Sequence, residues 1–97
     1  MGYTVTHNSI LNDGVSYRKI SSGSCISNDM QAITSIEECN AAAEAIGNYD
    51  VTARTTNNTP RPEGCYVTNW GLYLAINPTN RGNGADSTRN PICKAGL

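Results

Sequence analysis

Phenylalanine is absent from this 97-residue sequence, and tryptophan and histidine each occur once. Apolar residues make up 38% of it and charged residues only 15%. So thin a supply of core material in so short a chain favours a supplementary covalent staple. The scarcity of charge argues against disorder. No run approaches the roughly 20 apolar residues of a membrane helix, so membrane insertion is not expected. Closely spaced cysteines are missing too: Cys25, Cys39, Cys65 and Cys93 are separated by 13, 25 and 27 residues. That spacing excludes the ligand pairs of a zinc knuckle and a redox Cys-x-x-Cys. The only imidazole, His7, lies in a Thr/Asn-rich segment that offers no thiol context. With no paired-carboxylate motif, nucleophile elbow or phosphate loop, the chain is not expected to be an enzyme or to carry a cofactor.

What is present is a neutral-polar surface rich in Asn, Thr, Ser and Gly, with a net charge of −1 that is unevenly distributed. Residues 20–50 carry Asp29, Glu37, Glu38, Glu44 and Asp50 and no base. Residues 51–97 carry Arg54, Arg61, Arg81, Arg89 and Lys94 against Glu63 and Asp86. The basic residues are sparse and form no run, so nucleic acid is not an expected partner. The Met-Gly start runs straight into polar sequence without a secretory leader, as in a mature region or an excised module.

The segment "TSIEECNAAAEAIGN" predicts a helix over about residues 36–46. Ser35 is the N-cap, and Glu38 stands where a capping-box partner would reach back. Gly47 is the stop. Ile36, Cys39, Ala42, Ala43 and Ile46 share one face at helical spacing, which puts Cys39 on the buried stripe. The segment "GCYVTNWGLYLAIN" predicts a β-hairpin. A two-residue loop pairs Tyr66 with Tyr73 and Val67 with Leu72, and separates apolar residues well. A three-residue loop pairs Val67 with Tyr73 and gives Gly71 a left-handed position. The sequence leaves both registers open.

Short strands are also expected at 3–6 ("YTVT") and 15–20 ("VSYRKI"), joined by an Asn12-Asp13-Gly14 turn. Residues 51–55 are a weaker candidate, and "PICK" is expected to return as an edge strand. An even cysteine count at wide spacing in a small polar chain implies two disulfides and an oxidising compartment. Three pairings are possible. The hairpin is the natural floor for the helix, which favours Cys39–Cys65; Cys25 and Cys93 then tie the C-terminal strand to the segment before the helix. The expected fold is a small disulfide-stapled α+β domain, one capped helix on a short antiparallel sheet.

Two loops remain. Residues 55–64 contain an acceptor pattern for an N-linked glycan at Asn57. Residues 77–91 form a long Asn- and Gly-rich connection, of a length that is often functional. Asn80, Asn83 and Asp86 offer oxygens for Ca²⁺, but one carboxylate compensates a dication poorly, so a self-held surface loop is the better reading. Asn80, Arg81, Asn83 and Asp86 are its candidate contact residues. Trp70, at the hairpin tip, with Tyr66 and Tyr73, supplies candidate aromatic contacts for a sugar ring or a partner's pocket.

The strings "SCISNDMQAITSIEECNAAAEAIG", "RPEGCYVTNWGLYLAIN" and "NPICK" resemble a cysteine-bearing module of predicted secreted or surface proteins of microalgae and other protists. The resemblance covers about residues 24–94 and implies an extracellular or cell-surface domain without an assigned activity. The order of elements is also similar, at the level of fold, to the PAN/apple and WSC binding modules, from which this chain departs in having four cysteines. Residues 1–20 fall outside that pattern as an N-terminal strand region of the same single domain.

Two functions follow as expectations. The first is a non-catalytic secreted or cell-surface recognition or adhesion module for an extracellular glycan or protein. The second is a structural subunit that assembles with copies of itself into an extracellular fibre, sheath or surface layer, through complementary charge or an added strand.

Overall fold

The computed structural model describes residues 14–96. In chain order these form β1 (Ser16–Lys19), β2 (Gln31–Ala32), α1 (Ile36–Ala45), β3 (Arg54–Thr56), β4 (Gly64–Val67), β5 (Leu72–Ala75) and β6 (Asn90–Ala95). Single 3-10 turns lie at Ile26–Asn28 and Pro78–Asn80. The sheet runs β1-β6-β4-β5-β3, with β2 also pairing β6. The α+β class, with one helix on a sheet, is as expected. The expected strand at 3–6, most of the 12–14 turn and His7 lie outside the described residues.

The helix is built by the signals that announce it. Ser35 Oγ accepts from the Glu38 amide at 3.1 Å. At the other end Gly47 adopts φ +76°. The Gly47 and Asn48 amides then return to the Glu44 and Ala43 carbonyls at 3.1 and 2.9 Å, closing the helix with the double bond that a left-handed residue allows. The Glu38 carboxylate does not complete a capping box. It accepts from Tyr17 Oη and Lys94 Nζ, both at 2.9 Å. Tyr17 and Lys94 are cross-strand partners on β1 and β6 beneath the first helical turn, and together they hold the carboxylate there.

Alternation along the strands separates two faces. Tyr17, Cys65, Val67, Leu72, Leu74 and Ile92 pack under Cys39, Ala42, Ala43 and Ile46 of the helix, in a core shared with Val15 and Ile33. The small helix residues let the backbone approach the sheet closely. On the other face Cys93 joins Ile20, Cys25 and Met30 in a second, smaller cluster. The bridges are Cys39–Cys65 and Cys25–Cys93, each with 5.5 Å between Cα atoms. One therefore clamps helix to sheet, and the other closes the opposite face.

Two expectations are corrected. First, the sheet is mixed: β3 runs parallel to β5, and the other pairs are antiparallel. The helix ends beside the hairpin tip, so the chain enters β3 from the tip and travels the way β5 does. Second, "PICK" is not an edge. β1 and β2 pair the same residues of β6, from opposite sides, and β4 pairs its first two residues. Ile92 and Cys93 each face one of the two clusters, so consecutive residues are buried, as an interior strand requires. The strand expected at 15–20 is present as β1, and Val15 and Tyr17 are core residues.

The hairpin takes the two-residue register: Tyr66 pairs Tyr73, Val67 pairs Leu72, and the Thr68 amide reaches the Gly71 carbonyl at 2.9 Å across Asn69-Trp70. Apolar segregation under the helix decides it. At Gly71 a Cβ would stand 2.7 Å from Asp50 Oδ2 and 2.8 Å from Arg54 Nη1, so those two side-chain ends would have to move.

Gly64 is required for both space and conformation. It has φ +77°, and a Cβ would lie 2.3 Å from the Ile33 carbonyl oxygen, which already accepts from the Cys65 amide at 3.0 Å. Gly64→Ala is expected to lower stability by about 2–3 kcal/mol, from positive-φ strain plus the widened β2–β4 junction. Urea denaturation checks this; an unchanged midpoint would show that the junction opens freely.

Candidate functional site

The segment after the helix is organised around Asp50. Asn48 Nδ2 donates to the Asp50 carbonyl at 2.7 Å. Asp50 Oδ1 accepts from the Thr52 amide at 3.1 Å, and Oδ2 accepts from the Leu72 amide at 3.0 Å, which locks this segment to the start of β5. The Thr52 and Leu72 amides, in that order, hold the Asp50 carboxyl below its ordinary pKa; the Arg54 charge assists and desolvation opposes. Tyr49 Oη donates to the Asn69 carbonyl at 3.0 Å. Thr68 Oγ1 accepts from the Trp70 and Gly71 amides at 2.9 and 3.1 Å. The result is a turn fixed by its own threonine, by Tyr49 and by Asp50, presenting Trp70 at 83% exposure beside Tyr49 at 71%. Trp70 does not fold back over Ile76 or the following loop; Ile76 is itself exposed.

Behind the tip lies the face of the sheet that the helix does not cover. Tyr66 and Tyr73, paired across β4 and β5, stack with centroids 5.5 Å apart and planes at 20°. Arg54, paired with Tyr73 from β3, stands 5.5 Å above that ring. Tyr73 is half-buried and Tyr66 only 2% exposed. Burial pushes the Tyr66 phenol above its ordinary pKa, against the opposing pull of the Arg61 and Arg89 charges and an Arg61 hydrogen bond. Of the two candidate tyrosines, Tyr73 is therefore the accessible one, and Tyr66 is the platform beneath it.

The 77–91 loop is built differently from expectation. A 3-10 turn has three residues per turn, so side chains three apart align. Asn77 and Asn80 face the 57–61 segment in this way, and Asn83, beyond the turn, faces it as well. Their Nδ2 groups donate to the carbonyls of Asn57, Asn58 and Arg61 at 3.2, 2.9 and 3.0 Å. Asn80 Oδ1 also accepts from the Arg61 amide at 2.9 Å. Asn80, a candidate contact residue, is only 1% exposed and is an internal pin. Half-buried Asn83 plays the same part. Asp86 Oδ1 accepts from the Thr88 and Arg89 amides, and Oδ2 pairs with Arg89 Nη1 at 2.8 Å, so its oxygens are used locally.

Arg81 remains exposed, on the wall of an open groove of about 240 Å³. Gly64, Ala75, Ile76 and Pro78 line the same groove. Asn57 is exposed, with its backbone carbonyl held by Asn77 Nδ2.

Sequence reasoning missed Tyr49 and Arg54. The signal for Tyr49 was the "GNYD" at the helix stop, where Asn48 donates to the Asp50 carbonyl and Asp50 accepts backbone amides, holding the tyrosine between them in a defined place. Among the described residues, no group of three or more His, Cys, Asp or Glu is placed to hold a metal ion, and no helix is long and apolar enough to cross a membrane. No family model, no curated protein and no solved structure matches the chain. The functional reading accordingly rests on the geometry.

Proposed function

We propose that this chain is a non-catalytic recognition module of the cell exterior, and that it binds a glycan through the hairpin tip and the neighbouring sheet face. The observation that carries this is Trp70, largely exposed on a turn whose backbone is held from three directions. Ordering an aromatic surface before binding removes much of the entropic cost of association. A flat indole or phenol beside guanidinium donors is suited to the apolar face and hydroxyl rim of a pyranose. Two disulfides, which persist in oxidising compartments, support the exterior location.

Trp70→Ala is expected to leave the fold unchanged and to weaken saccharide binding about 30-fold, the size of a hot-spot truncation. Glycan-array binding followed by calorimetry measures it. Equal binding by parent and variant, or no saccharide bound by the folded parent, overturns the proposal.

Opposed charge favours a second reading, self-assembly. Exposed Glu37 and Glu44 lie on the helix side, and Arg54 and Arg61 on the other face of the sheet. Such head-to-tail contacts do not close on themselves and would propagate. Sedimentation of the parent and of a chain starting at Gly14, which keeps β1, tests this; a monomer at every concentration removes it.

A further inference from the structure

We infer that the ligand of this surface is a linear acidic saccharide, a polyuronate, lying along the outward side of β5 with its carboxylates taken by Arg54 and Arg81. This rests on the glycan-binding reading above and names the ligand's class.

Three observations carry it. The first is the shape of the track. Tyr73 and Ala75, on the outward side of β5, are both half-exposed; exposed Trp70 bounds one end and the open groove at Ile76 and Arg81 the other. From Gly71 to Ile76 the strand covers about 17 Å at its usual rise, several pyranose rings long. The groove end is lined by Gly64 and Ala75, cross-strand partners, of which Ala75 presents only a methyl group.

The second observation is the state of the charges. Among the described residues the ion pairs are Arg89–Asp86 and Lys94–Glu38, so Arg54, Arg61 and Arg81 belong to none. The carboxylates nearest this track are already occupied by backbone donors: Asp50 by Thr52 and Leu72, and Glu63 by the Gly82 amide at 2.9 Å. Asp50 lies near Arg54 and Glu63 lines the groove with Arg81, yet neither guanidinium is spent on an ion pair, so both keep their forked donors for an incoming anion. A planar carboxylate matches that fork with two parallel hydrogen bonds.

The third observation is the seating of Arg54. Its Nη1 occupies the space that the missing Cβ of Gly71 leaves, next to Trp70, while its guanidinium carbon stands over Tyr73. One residue thereby joins the aromatic tip to the aromatic face. A neutral glucan would use the rings and leave the guanidinia without partners.

The test is calorimetric titration of the disulfide-bonded chain with oligogalacturonate, a sulfated galactan and a neutral glucan, at low and high salt. Oligogalacturonate is expected to bind best, and to weaken as salt rises. Arg54→Gln and Arg81→Gln are each expected to weaken it about tenfold, the loss of a charge-assisted pair of bonds. Lys19→Gln, an exposed cation on the helix side of β1, is expected to change nothing. Near-UV circular dichroism confirms that each variant is folded, and Arg81→Gln alone decides should Arg54→Gln misfold. Preference for the sulfated galactan overturns the carboxylate assignment. Binding of the neutral glucan that needs Trp70 but neither arginine overturns the inference and leaves the proposed function standing; no binding at all removes both.

Discussion

A chain with Cys39 and Cys65 replaced by alanine is expected to lose about 3–4 kcal/mol of stability, and one lacking Cys25–Cys93 about 4–5 kcal/mol, from loop closure alone. The two bridges close sequence separations of 26 and 68 residues, so the longer constrains the unfolded chain more. A small domain has a total stability of about 5–15 kcal/mol, and this one lacks phenylalanine and relies on alanines in the helix face. Loss of both bridges should therefore leave the chain unfolded at room temperature. The packing adds to the effect, because Cys39, Cys65 and Cys93 are themselves fully buried, and their truncation leaves gaps in both clusters. Urea denaturation of the single-bridge variants, with near-UV circular dichroism of the fully reduced chain, measures this. A reduced chain that kept its native spectrum and midpoint would show that the core suffices and that the bridges are dispensable.

Asn80→Ala is expected to cost about 1–3 kcal/mol, with two part-buried hydrogen-bonding groups losing their partner. Its amide answers the Arg61 N–H and the Asn58 carbonyl together, and no water-facing residue can replace it in so closed a position. Asn80→Asp is the informative companion: the acceptor for Arg61 survives, but an anionic oxygen then opposes the Asn58 carbonyl. Asn77→Ala, which loses an exposed bond to Asn57 and the Oδ1 cap on the Thr79 amide, should cost about 0.5–1 kcal/mol. Denaturation midpoints of the three variants decide. Equal, small effects would mean that the loops hold together without the asparagine zipper. Because that zipper places Arg81 beside the groove, Asn80→Ala should also disturb ligand binding at the groove end more than at Trp70.

Local signals were legible where they act over a few residues. Ser35 and Gly47 bounded the helix because caps are satisfied by neighbouring amides, and the periodicity of Cys39 placed its sulfur towards the sheet. That face and the hairpin floor favoured Cys39–Cys65 among three possible pairings, and the structure forms it together with Cys25–Cys93. Trp70 was legible as an exposed side chain because a tip between two apolar runs has no core to enter. Asn80 and Asn83 were misassigned for a definite reason. An amide in an Asn-rich loop has the same local pattern whether its partner is water or a carbonyl 22 residues away. Tyr66 was read as a contact for a similar reason: alternation shows that it leaves the helix side, not that arginines close over it.

What the sequence determined by itself is the small α+β class, the capped helix, the two covalent clamps and the aromatic tip, because each depends on spacing, periodicity or backbone preference within one segment. Tertiary structure alone decided the interior place of β6, the parallel entry of β3 and the hairpin register. It also decided the burial of Asn80 and the meeting of Tyr49, Arg54 and Trp70 at one end. Those depend on which distant groups share the same few ångströms, and hydrogen-bond donors and guanidinia carry no mark in the chain of the partner they will find.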